Sequence, residues 1–68
     1  MNMFAVFCRA IDDGLFDEVE GAEKNGTERL TVAADPFLVE GTITEEQRQK
    51  LLQRLDERKL QMSRTASA

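Results

Sequence analysis

The apolar positions are most clearly patterned in the last third of the chain, Thr44 to Met62, which reads TEEQRQKLLQRLDERKLQM. Thr44 is a good N-cap, because its hydroxyl can accept from N–H groups that a first helical turn leaves unpaired. Gln47 completes a capping box, and Glu45 and Glu46 sit where the helix dipole favours negative charge. No Gly, Pro or β-branched residue interrupts the run to Met62, so a helix over 44–62 is predicted. With Leu51 at zero on a helical wheel, Leu55 falls at about 40° and Met62 at about 20°. Arg54, Arg58, Arg48 and Lys59 fall at about −60°, −20°, 60° and 80°, so the leucine stripe also carries the positive charge. Either the basic stems lie along the stripe with their heads in water, or the face docks on an acidic surface. Arg58 sits almost at the centre of the stripe, where an unpaired guanidinium could not be buried. Either the helix overhangs the body there, or Arg58 meets a carboxylate.

Further upstream the period is ambiguous. Phe4, Phe7, Cys8, Ile11 and Leu15 fit the helical template i, i+3, i+4, i+7, i+11. With Ala5 and Val6 they also form a continuous run that suits a strand buried on both faces. Asn2 could cap a helix, and Asp13-Gly14 could end that helix or turn a hairpin. Leu15 to Glu23 reads as an acid-rich short helical turn or irregular edge segment, and Lys24-Asn25-Gly26-Thr27 as a loop. Arg29 to Ala33 and Phe37 to Ile43 are rich in Thr, Val, Leu, Ile and Phe and are separated by Ala34-Asp35-Pro36, which predicts two strands and a turn. A two-stranded hairpin needs a third partner to be stable, which favours a strand for the N-terminal segment over a short helix. The expected fold is therefore α+β: an antiparallel sheet of two or three strands with the C-terminal helix packed across it. One domain over 1–62 and a flexible tail at 63–68 are expected.

Composition narrows the chemistry. At 68 residues the chain is near the lower limit for independent folding, and sharing a core with a second copy would help. Cys8 is the single cysteine and there is no histidine, which leaves no internal disulfide, no usual zinc set and no Ser-His or Cys-His grouping. Cys8 reads as a small buried hydrophobe. Paired carboxylates such as Asp12-Asp13 lack the calcium-loop spacing, and there is no phosphate-cradling glycine loop. No enzyme, no cofactor and no metal site is expected. There is no apolar span of membrane length and no export signal, so a cytoplasmic setting is expected.

Charge is the main functional clue. Residues 1–40 hold nine acids and three bases, and residues 41–68 hold four acids and six bases. The acids concentrate from Asp12 to Glu23. One reading is a solvated loop that keeps the protein soluble. A second pairs this segment with the basic helix face, within one chain or between two. A third is mimicry of nucleic-acid phosphates. The expected function is a small non-enzymatic interaction protein, an adaptor or inhibitor of a larger protein, self-associating through the C-terminal helix. Its expected partner-binding residues are Leu51, Leu55, Arg58, Met62 and Arg54 on the helix, with the acidic segment Asp12–Glu23, represented by Asp17, Glu18 and Glu20, as a second surface. The alternative is a nucleic-acid-linked regulator, acting through the basic helix or through the acids. The net negative charge and the lack of an aromatic stacking platform disfavour nucleic acid as the partner.

Overall fold

The computed structural model describes residues 2–67, with side chains described through Met62. It contains three helices, α1 (Met3–Asp12), α2 (Gly26–Glu40) and α3 (Glu45–Ser67), and no strand among the described residues. The expected α+β architecture is therefore corrected to an all-helical one, in which α1 and α2 both pack on α3. The tail expected at 63–68 is helical in its backbone through Ser67, while its side chains and Ala68 lie outside the described residues.

The main correction is α2, which takes in the expected strand Arg29 to Ala33, the expected turn and Phe37 to Glu40 of the second expected strand, leaving Gly41 to Ile43 in the link to α3. Leu30, Ala33, Ala34, Phe37 and Leu38 recur at i, i+3, i+4, i+7 and i+8, a helical stripe, and all are buried or half-buried. A period of two would have put Leu30 and Val32 on one face; Leu30 is fully buried and Val32 is 52% exposed. Both helix ends carry local chemistry that a strand would lack. Asn25 accepts from the Glu28 N–H at 2.8 Å, and Gly41 ends the helix at φ 81°. The Gly41 N–H donates to the Leu38 carbonyl and the Thr42 N–H to the Phe37 carbonyl, the paired closure that a left-handed glycine permits. Pro36 lies inside this helix, although an interior proline typically costs about 3 kcal/mol. Its exposed position keeps the ring out of the core, and the buried stripe on the opposite side outweighs the lost hydrogen bond.

The N-terminal segment is likewise a helix and not a strand. The Asn2 side chain accepts from the N–H groups of Phe4 and Ala5, and the helical template puts Phe7 and Ile11 in the core. Gly14 ends α1 at φ 89°, its N–H donating to the Ile11 carbonyl while that of Leu15 donates to Ala10. In α3 the predicted capping box is present: the Gln47 N–H donates to Thr44 Oγ1 at 3.1 Å and the Thr44 N–H to Gln47 Oε1 at 2.9 Å.

The core is Phe7, Ile11, Leu30, Ala34, Ile43, Leu51 and Leu55. Phe7 joins three parts of the chain, with its ring 5.6 Å from that of Phe37 in an edge-on contact and 6.5 Å from that of Phe16. Phe16 thereby anchors the 13–25 loop against the helices. The loop is pressed close to the start of α2, since a Cβ on Gly26 would lie 2.0 Å from the Phe16 carbonyl oxygen. No side-chain carbon can share that space, so glycine is required at position 26 by packing and not by its backbone angle. Gly26→Ala is expected to destabilise the protein by about 1–3 kcal/mol, the usual cost of overpacking. Gly41→Ala meets nothing within 4 Å and carries only the left-handed strain, about 1 kcal/mol. Urea unfolding of the two variants measures the order; a Gly26→Ala protein as stable as the parent would contradict the close approach.

Candidate interaction surfaces

The basic face of α3 and the acidic segment meet inside one chain. Arg58 donates from Nε and Nη2 to the two carboxylate oxygens of Asp17 at 2.8 and 3.0 Å. One turn earlier Arg54 makes the same two-pronged contact with Asp12, at 3.0 and 2.6 Å. Lys59 reaches Glu18 at 2.9 Å and the Thr27 hydroxyl at 3.0 Å. A planar guanidinium matches a carboxylate with two parallel hydrogen bonds, which fixes direction as well as distance. Arg58 therefore meets a carboxylate beyond the end of the leucines, and the loop lies along α3 as a strap.

Local structure sets up these contacts. The left-handed turn at Gly14 brings Asp17 back toward α3, and a Cβ there would crowd Asp17 Oδ2 at 3.0 Å and Arg58 Nη2 at 3.4 Å. Arg29, on α2, donates to the carbonyls of Leu15 and Asp17 and holds the backbone of the strap. Glu18 also accepts from the Gly26 N–H at 3.0 Å, so one carboxylate serves both the start of α2 and the Lys59 ammonium.

The carboxyls respond as their surroundings dictate. The Arg54 hydrogen bond holds Asp12 below its ordinary value, and the Arg58 hydrogen bond does the same for Asp17. Glu18 is lowered by Lys59 first and by the Gly26 N–H second. In each case the ionised form is favoured by a hydrogen-bonded cation, against a smaller opposing effect of burial.

The sequence-predicted residues have separate fates. Leu51 and Leu55 are fully buried in the chain's own core, so neither is at the surface in this conformation. Arg54, Arg58, Asp17 and Glu18 are committed to the strap. Met62 is 48% exposed and borders a shallow hollow of about 270 Å³ with Asp17, Glu18 and Lys59. Glu20 is exposed in the loop. Asp12, the first residue of the expected Asp12–Glu23 surface, answers Arg54. Its position at the end of α1 follows only once that segment is a helix. No helix of the described residues is long and apolar enough to cross a membrane, and no group of three or more potential ligands that could hold a metal ion occurs among them.

A second surface was missed. On the side of α2 facing away from the core, Glu28, Val32, Asp35 and Val39 follow at i, i+4, i+7 and i+11, with Pro36 beside them; all five are exposed, Val39 at 87%. The signal for it was present in the spacing, but it has meaning only on a helix. No family model, curated protein or solved structure matches this chain.

The strap makes stability depend on acid in a definite direction. Asp12, Asp17 and Glu18 release protons more readily when folded, so the unfolded chain binds more protons as pH falls. Their contribution is complete above the ordinary carboxylate values of about 4 and is lost as pH drops through the lowered folded values. The melting temperature of the parent is expected to fall over that window, and Asp17→Asn is expected to flatten the dependence. Equal slopes for parent and variant would show that the Asp17–Arg58 pair does not couple to folding.

Proposed function

We propose that this chain is a small non-enzymatic interaction protein, an adaptor or inhibitor that docks on a larger protein through a basic, partly apolar surface of that partner. The supporting observation is the charge left over once the internal pairs are made. On α3, Arg48, Lys50, Arg54, Arg58 and Lys59 each have a carboxylate within ion-pair distance. Glu20, Glu23, Glu28, Glu40, Asp56 and Glu57 have no ion pair among the described residues. The cations are largely spoken for, and what remains for a partner is acidic, interspersed with exposed valines. Such a surface steers a positively charged partner and repels a negatively charged one.

This balance weighs against the nucleic-acid alternative, because the α3 cations would have to leave their carboxylates before contacting phosphate. It also changes the self-association reading. With Leu51 and Leu55 turned inward, the exposed large apolar residues of α3 among the described residues are Leu60 and Met62. A different protein is a better fit to the remaining surface than a second copy.

Solution mass by light scattering, at low and at high salt, tests the second point: a monomer is expected under both conditions, and a salt-resistant dimer would restore self-association. Crosslinking in cells followed by mass spectrometry tests the first. Enrichment of a specific protein is expected, with capture reduced at least tenfold when Glu20, Glu23, Glu28 and Glu40 are all changed to Gln. Capture unaffected by that change would remove the charge-based reading. Asp17 and Glu18 are left unaltered in this variant because neutralising them would loosen the strap.

A further inference from the structure

We infer that the outer face of α2 is the docking face and that its occupant is a cationic amphipathic helix of another protein. The inference rests on the proposed function above and adds the place and the chemistry of the partner. Glu28, Val32, Asp35 and Val39 form a single stripe directly opposite the buried Leu30–Ala34 side, and Pro36 widens its apolar part. Val32 and Val39 are 52% and 87% exposed. Seven residues separate the two acids and seven separate the two valines, a repeat of about 10.5 Å along the helix. No basic side chain interrupts the stripe. Arg29, the one cation of α2, points to the carbonyls of the loop. Asp35 has Arg48 only at 3.9 Å, a distance that leaves its carboxylate free to accept from a closer donor.

Charge decides between occupants. Two copies of this face would place Glu28 and Asp35 against the same acids, and like charges in apposition oppose association. A helix with Lys or Arg seven residues apart and leucines between them would answer both acids and cover both valines. Helices that present apolar anchors on one face are a recurrent partner for such a surface. The binding would weaken with salt, because the acids are exposed, while the valine contacts would persist.

The probe is a synthetic 18-residue amphipathic helix of leucine and lysine, labelled for fluorescence anisotropy and compared with a scrambled peptide of the same composition. The parent protein is expected to bind the helical peptide at least tenfold more tightly than the scrambled one. Val32→Ser with Val39→Ser is expected to weaken binding at least tenfold without loss of helical circular dichroism, as is Glu28→Lys with Asp35→Lys. Asp56→Lys with Glu57→Lys makes the same charge change on α3 and is expected to alter binding less than about threefold. Equal losses from the α2 and α3 charge reversals would overturn the inference, since attraction to net charge would then suffice. Loss only in the α3 variant would move the site off α2 while leaving the proposed basic partner in place. No binding to either peptide would overturn the docking face. If the cell crosslinking also captured nothing, the proposed function would fall with it. A doubled light-scattering mass, abolished by Val32→Ser with Val39→Ser, would put a second copy on the face and overturn the heterologous assignment.

Discussion

Helix α3 offers one narrow apolar face, and both other helices have to use it. Leu51 and Leu55 are buried where α1 brings Phe7 and Ile11 and α2 brings Leu30 and Ala34. Seven buried hydrophobic residues among the described ones are a small core, so the burial of each matters more than it would in a larger domain. That constraint explains the shared role of Phe7, whose ring is packed between aromatic residues of the loop and of α2. Basic side chains flank the buried leucines, with Arg54 beside Leu55 and Arg58 one turn beyond it. The stripe does not end in a bare apolar edge; it passes into a row of cations that the loop covers with carboxylates.

The strap differs from an ordinary surface ion pair in its sequence reach. Asp12–Arg54 and Asp17–Arg58 join residues more than forty positions apart, whereas Arg48–Glu45 and Lys50–Glu46 stabilise a helix locally. Exposed pairs of the second kind contribute little to tertiary stability. The long-range pairs gain from two-pronged geometry and from being tied to the backbone through Arg29 and Gly26. Charge here acts as a means of orientation, holding a segment with few apolar anchors in one place.

The helix from Thr44 was legible because its cap, its first-turn acids and its residue types agree, and Gln47 closes the box as the pattern implies. The alternative that Arg58 meets a carboxylate was also legible, since a guanidinium on an apolar stripe has few other outcomes. The strands were misread for a physical reason. Five residues such as Arg29 to Ala33 are too few to separate a period of two from one of 3.6, and Thr31, Val32 and Val39 carry strand propensity that tertiary packing overrode. Pro36 then looked like a turn. The stronger signals were at the ends, where Asn25 with Glu28 and the Glu40-Gly41-Thr42 step mark a capped helix. The error spread upstream: Phe4 to Ile11 fits a helix at every apolar position, but two expected strands asked for a third. That the acidic segment could pair with the basic face of α3 was one of the readings the charges offered, but which acid meets which arginine could not be read before the turn at Gly14 was known, because it depends on where the loop lies and not on its composition.

The strap is held at both ends and free in the middle. Asp17 and Glu18 fix one side, Asn25 and Gly26 the other, while Val19 to Lys24 are exposed and include the left-handed Gly21, whose Cβ position is empty. Loop entropy grows only slowly with length, so added residues at this tip would not disturb either anchor. The protein thus has a natural insertion point, at which a reporter or an affinity tag can be carried on the side of α3 without entering the core.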